Sequence, residues 1–346
     1  MFKRSYFAIK KMKDLFKYSS ARAASHIKYS AHTLGANFMR LTYNKNSPFI
    51  KGAITWSLFS FYPPAEETTI ENELIMDIKR SILLIQRKEF AKAEQMLHLA
   101  LRTAQQIQNE DGIVYIFDVM ANLAFSLGQY DKAEKLFVDV MQRLLSKGVP
   151  ETDIKNIHIS IKLARICHMK GDKEKAGIGY RWSIEHLQKF IDGDAESEYN
   201  VLLAIATDWY ARISMEAGNY AEALRMMKIS HEILEKFPEG NEEQSAILLN
   251  DMAIMYDKLG DIDNAELYLK KAIKCGNLLK DMEELGAMYV NLGRIYLRKE
   301  MLDNARKCCG YGWKLSIDHG DDALKNEAQL CLDDAVALHI KHKNKR

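Results

Sequence analysis

The sequence predicts an all-α protein, a right-handed superhelical solenoid of about six long-period helix pairs closed by a C-terminal capping helix. Three observations predict it. Proline occurs only 5 times in 346 residues of a chain rich in Leu, Ala, Lys and Glu, and proline removes a backbone donor and clashes inside a helix. Small residues recur in register with alanines between positions 81 and 305. Glycine stands at a fixed distance before four of those alanines, where one helix of a pair has to stop.

The register is read first, because internal periodicity decides the fold. Six segments place a small residue twelve positions before an alanine: Ser81/Ala93, Ala121/Ala133, Ala164/Ala176, Ala211/Ala223, Ala253/Ala265 and Gly293/Ala305. Four residues beyond each alanine stands Leu97, Phe137, Tyr180, Met227, Leu269 or Cys309; seven beyond stands Ala100, Val140, Ser183, Ser230, Ala272 or Gly312. Two antiparallel helices approach closely only where the facing side chains are small, so each small/Ala pair marks a crossing. Gly128, Gly171, Gly218 and Gly260, five residues before their alanines, end the first helix in the left-handed conformation. Phe90, Tyr130 and Tyr220 then wedge under the next helix.

This pattern resembles the tetratricopeptide repeat, most closely in Leu123–Ala133 and Met255–Ala265. Successive key alanines are 40, 43, 47, 42 and 40 residues apart, longer than that repeat's usual period, so each unit carries longer helices or a longer loop. Loop signals lie at 109–112, 148–152, 192–194, 237–241 and 318–322. From Ala323 to about His342 one more helix, with Lys325, Glu327, Asp333 and Asp334, supplies the terminal cap a solenoid needs.

The chain organises as a presequence over 1–47, a short apolar segment over 48–64 and the repeats over 66–346. Residues 1–65 hold eleven Lys/Arg and one acid, Asp14, a charge of +10; residues 66–346 hold 38 Lys/Arg against 46 Asp/Glu, a charge of −8. A basic, Ser-containing, acid-poor leader is the composition of a mitochondrial transit peptide; a basic arm for nucleic acid or anionic lipid is the competing reading. The segment ending in Trp56, Phe59, Phe61 and Tyr62 has the aromatics of an interfacial membrane anchor. It is shorter than the ~20 residues of a spanning helix, so an apolar linker lying against the first repeat stands equally beside it. The acidic body argues against sequence-independent nucleic-acid binding, which needs a cationic face.

Catalytic motifs are absent: no phosphate-binding G-x-x-x-x-G-K-[ST], no G-x-S-x-G elbow, no H-E-x-x-H helix. Cys167, Cys275, Cys308, Cys309 and Cys331 are odd in number and lack a C-x-x-C spacing, which leaves reduced, packed thiols as the expectation. His158 and His168 flank Cys167 without forming a closed metal set. The expectation is a non-enzymatic binding protein with no cofactor, no nucleic-acid partner and no small-molecule substrate.

The leader, the apolar segment and the long-period repeats together resemble the mitochondrial tetratricopeptide-repeat proteins that associate with respiratory complex III. Tyr115–Phe125, Gly128–Phe137, Ile159–Ala164 and Tyr289–Gly293 carry the likeness. The resemblance implies a protein of the inner membrane; separately, Arg40, Lys45 and Lys51 before the apolar segment and Glu66, Glu67, Glu71 and Glu73 after it direct the repeats to the intermembrane space if that segment anchors. The partners the resemblance implies are complex III subunits including the Rieske iron–sulphur protein, whose fragments the protein would help to clear. The other reading is a cytosolic or mitochondrial co-chaperone that grips peptide termini. Such a grip uses Lys and Asn at fixed groove positions, held here by Asp118/Asn122 and Asp208/Arg212. In the repeat, the first helix of each pair lines the groove. One offset of that helix holds Asn122, Arg165, Arg212 and Arg294, with Phe125 expected on the exposed side three residues after Asn122. Guanidinium forks repeated along a groove suit an acidic or polar segment of a partner. The plainer reading is a surface pair between Arg212 and Asp208.

Overall fold

The computed structural model describes residues 70–191, 197–236 and 241–344. The leader, the segment 48–64 with Trp56, Phe59, Phe61 and Tyr62, and the loop signal at 192–194 lie outside them. The described residues form thirteen helices. They are α1 (Ile70–Gln86), α2 (Phe90–Gln106), α3 (Glu110–Ser126), α4 (Tyr130–Ser146), α5 (Ile154–Met169), α6 (Lys173–Ile191) and α7 (Ser197–Glu216). There follow α8 (Tyr220–Lys236), α9 (Glu242–Lys258), α10 (Ile262–Gly276), α11 (Leu285–Arg298), α12 (Leu302–Asp318) and α13 (Asp322–Asn344). They make six pairs and one terminal helix, the number the register predicts. The chain divides into two compact units, Met1–Ile159 and Ser160–Arg346.

Within each unit the crossings sit where the sequence places them. All six key alanines are fully buried, and the residues four and seven positions beyond them are buried with them. At the third pair a Cβ on Gly179 of α6 would lie 2.9 Å from the Cβ of Ala164 on α5. At the sixth, a Cβ on Gly312 would meet the Val290 side chain at 2.5 Å and the Gly286 carbonyl at 2.9 Å. Side chains at these points are small because the neighbouring helix occupies the space. Bulk is packed between the crossings, where Phe137, Tyr180, Leu97 and Met227 fill the core.

One turn joins the two helices of every pair. Gly128, Gly171, Gly218 and Gly260 have φ between 74° and 91°, the left-handed region that costs glycine little. The next N–H in each case donates back five residues at 2.8–2.9 Å, as from Gln129 to Ala124 and from Asp261 to Tyr256, which satisfies a carbonyl the helix end leaves orphaned. The first and last pairs use the same turn without glycine: Lys88 at φ 64° and Glu300 at φ 58°, with Glu89 donating to Leu84 and Met301 to Tyr296 at 2.9 Å. Packing of the pair imposes the turn, and glycine only makes it cheaper. Asn109 is the side-chain cap of α3, accepting from Gly112 N at 2.8 Å, so most of the loop signal at 109–112 is already helix.

The cap helix α13 covers α11 and α12 through Ala328, Cys331 and Ala335. Its Cys331 is joined to Cys309 of α12, Cα atoms 5.9 Å apart, which corrects the expectation that all five cysteines are reduced. Each is buried on the face its helix turns to the other, so the packing itself brings them together. Cys167, Cys275 and Cys308 form no disulfide and are half-buried.

Two opposite effects test this geometry. Leu in place of Ala133 or Ala265 is expected to cost about 1–3 kcal/mol by overpacking, read as a lowered circular-dichroism melt; an unchanged melt would contradict the register. Lys88→Gly and Glu300→Gly are expected to raise the melt, each relieving about 0.5–1 kcal/mol of left-handed strain.

Candidate functional site

The first helices of the second unit carry an unusual set of buried polar groups. Lys162, Arg165, Asp208, Asn250 and Asp251 are all buried. Two columns hold Lys162, Arg165 and Asp251, while Asp208 and Asn250 stand three before their crossing residues. The residue after each small crossing residue gives Arg165, Arg212, Ile254 and Arg294; the residue two before it gives Lys162, Trp209, Asp251 and Asn291. Positions three apart lie on one helix face, so the two columns alternate along a single stripe.

The stripe is wired from helix to helix. The Arg165 guanidinium lies 5.2 Å over the Trp209 ring of α7. Arg212 donates to Asp208 on its own helix at 3.2 Å and reaches Asp251 of α9 at 3.6 Å. Asn250 lies 3.5 Å from Asp251 and accepts from Asn291 of α11 at 2.9 Å. Arg294 pairs with Glu327 of α13 at 3.4 Å. Opposite charges meet at Arg212 and at Arg294, and the two aspartates hold the Arg212 guanidinium above its ordinary pKa. Buried charges without such partners would face a desolvation cost of several kcal/mol each.

The sequence-predicted residues therefore part company. Arg165 and Arg212 are spent on internal partners; Arg294, with 46% of its side chain exposed, is the one of the three that solvent reaches readily. In the first unit Asn122 is buried and its amide donates to the Asp118 carbonyl at 2.7 Å. Phe125 is a correction: it is buried, stacked edge-on against Tyr130 at 5.9 Å and Phe137 at 6.5 Å. The tyrosine that opens α4 folds beneath the end of α3 and covers the ring. Sequence reasoning missed Trp209, Asp251, Asn250 and Asn291; the column two before each crossing residue was the available signal for all but Asn250, which stands three before.

At one end of the stripe His168 accepts from Arg165 at Nδ1, 3.1 Å, and faces both carboxylate oxygens of Glu216 from Nε2 at 3.3 Å. Lys173 also binds Glu216, at 2.8 Å. Burial, then repulsion by Arg165, lowers the His168 pKa below 6.5. His231, on α8, is lowered by burial as well. Among the described residues no three His, Cys, Asp or Glu side chains gather to hold a metal ion.

Arg212→Ala leaves two buried carboxylates facing each other and is expected to cost about 3–5 kcal/mol; Arg294→Ala removes a surface pair worth about 1 kcal/mol or less. Urea unfolding of the two variants checks the contrast, and equal midpoints would contradict the wiring. Because both histidines take up a proton less readily folded than unfolded, the unfolded chain binds more protons once pH falls below 6.5, so stability declines with acidification there. His168→Gln is expected to shrink that decline between neutral pH and the acid limb of a melt series.

Two models described as tetratricopeptide repeat match residues 202–275 and 286–309. Among solved structures, BtubC from P. vanneervenii is similar at 18% identity and a TM-score of 0.55 over 68% of this chain and 92% of its own. The apo form of RapI is similar at 13% identity and a TM-score of 0.54, covering 98% of this chain and 97% of its own. These show a shared fold. Among sequence relatives, the mitochondrial tetratricopeptide repeat protein 19 homolog of Drosophila melanogaster is 38% identical over 283 residues, 82% of this chain and 76% of its own. The mitochondrial tetratricopeptide repeat protein 19 of Homo sapiens is 31% identical over 282 residues, 78% and 71% of the two. The chain belongs to the tetratricopeptide repeat protein 19 family.

Proposed function

We propose that the chain is a non-enzymatic protein-binding scaffold of the mitochondrial inner membrane. In this reading it associates with respiratory complex III and supports its maturation or the clearance of Rieske subunit fragments. The observation that carries the reading is the extended similarity to relatives named mitochondrial, 38% identical over 82% of the chain. The basic leader and the aromatic segment 48–64 agree with it in composition. Among the described residues no helix is long and apolar enough to cross a membrane, so any anchor in this reading falls to residues 48–64. Arg40, Lys45 and Lys51 precede that segment and Glu66, Glu67, Glu71 and Glu73 follow it. Basic flanks tend to stay on the matrix side, which directs the repeats to the intermembrane space.

The co-chaperone reading asks for cations along the groove to hold a peptide carboxylate. Asp208 occupies one of the gripping positions and is paired to Arg212, so a second carboxylate there would meet a charge already neutralised. Arg294, half-exposed at the far end of the stripe, is the side chain through which a polar partner segment is reached at least structural cost.

Affinity purification from detergent-solubilised mitochondria tests the proposal. Complex III subunits are expected with the bait, at reduced yield for Arg294→Ala; chaperones without complex III would overturn it. Protease added to mitoplasts is expected to remove the repeats, and full protection would refute the orientation.

A further inference from the structure

Helix α1 differs from the rest of the acidic body. Its inward face is Leu74, Ile78 and Ser81, all buried against the first crossing. The opposite face carries Met76 and Leu83, exposed to 47% and 40%, one above the other at a spacing of seven. Around them stand Lys79 and Arg80, both exposed, with Arg87 and Lys88, also exposed, just past the helix end. The acids of the helix weight its N-terminal half: Glu71 and Glu73 stand in the first turn, Glu73 on the same row as Arg80, and Asp77 binds Arg80 at 3.1 Å, which leaves the uncompensated basic charge at the other end, around Leu83. Leu83, set among Lys79, Arg87 and Lys88, gives this end of the helix the apolar and basic composition that suits a membrane interface.

Chain length fixes what this face meets. Seven residues, 63–69, separate Tyr62 from the start of α1, and fully extended they reach at most about 25 Å. Wherever Tyr62 inserts, the start of α1 lies within that reach of it. We propose that the outward face of α1 is a docking surface for an anionic phospholipid bilayer, Met76 and Leu83 entering the headgroup region while Lys79, Arg87 and Lys88 meet lipid phosphates. The position of the surface rests on the anchor reading of residues 48–64; its chemistry rests on α1. Docking would hold the first repeat against the membrane.

The test uses the full chain with Cys167, Cys275 and Cys308 replaced by Ser. An environment-sensitive fluorophore is placed at Leu83→Cys, or, as a control, at Leu330→Cys on the exposed side of α13. The chain is mixed with vesicles of phosphatidylcholine alone or doped with phosphatidylglycerol, and pelleting is recorded beside fluorescence. The expected result is a several-fold rise at position 83 with the anionic vesicles only, suppressed by lipid-borne quencher and lost in Lys79→Glu/Arg87→Glu, while position 330 stays aqueous. A chain that pellets with vesicles while the label at 83 remains aqueous overturns the docking face and spares the anchor. A rise at 83 that survives Trp56→Ser/Phe59→Ser/Phe61→Ser/Tyr62→Ser, with pelleting on neutral vesicles unchanged, supports the face and sinks the anchor. No rise and no pelleting overturns both.

Discussion

The close approach of paired helices is the constraint on which the rest depends. Where two backbones cross with little more than a methyl group between them, a side chain larger than alanine has no room, and Gly312 has none even for a Cβ. That fixes the small residues at each crossing, and with them the direction every other side chain must face. Leu97, Phe137, Tyr180 and Met227 are large and wholly buried because they fall one helical turn from a crossing, where the helices diverge enough to enclose a ring or a thioether. The left-handed turn follows too, since a pair this tight leaves two or three residues in which to reverse the chain. Lys88 and Glu300 adopt that turn against their own preference, which identifies packing, not local propensity, as its cause.

The same closeness explains the polar stripe of the second unit. First helices packed near one another bring the residue after one crossing against the residue before the next, so charges that a wider groove would leave in water are buried together. They persist by pairing: Arg165 over Trp209, Arg212 between two aspartates, Asn250 between Asp251 and Asn291. The stripe ends at the exposed Arg294–Glu327 pair, on the final helix pair and cap.

How much was legible in the sequence follows from how local each cause is. Crossing residues repeat at fixed offsets because the same steric demand recurs in each pair, so the six pairs, their turns and the cap helix could be read from spacing. Wiring between repeats could not. Asp251 stands 39 residues from Arg212 and Glu327 stands 33 from Arg294, and only the stacked helices show that each pair meets. Phe125 was misplaced for a related reason: its offset suggests the groove, but Tyr130, beyond the turn, closes over it. Cys309 and Cys331 meet across two helices that no short motif links.

The central claim, that backbone approach at the crossings sets which residues are tolerated, is tested most directly at Gly179. Glycine to alanine within a helix ordinarily stabilises by about 0.5–1 kcal/mol. Here the added Cβ meets the Ala164 Cβ at 2.9 Å, and the next nearest atoms are 3.7 Å and 3.9 Å away, so one methyl group carries the whole clash. The measurement is a double-mutant cycle of Gly179→Ala and Ala164→Gly by chemical denaturation. The account predicts that Gly179→Ala destabilises the native background, that it stabilises the Ala164→Gly background, and that the two are coupled by about 1 kcal/mol or more. A Gly179→Ala substitution that stabilises both backgrounds equally would contradict it.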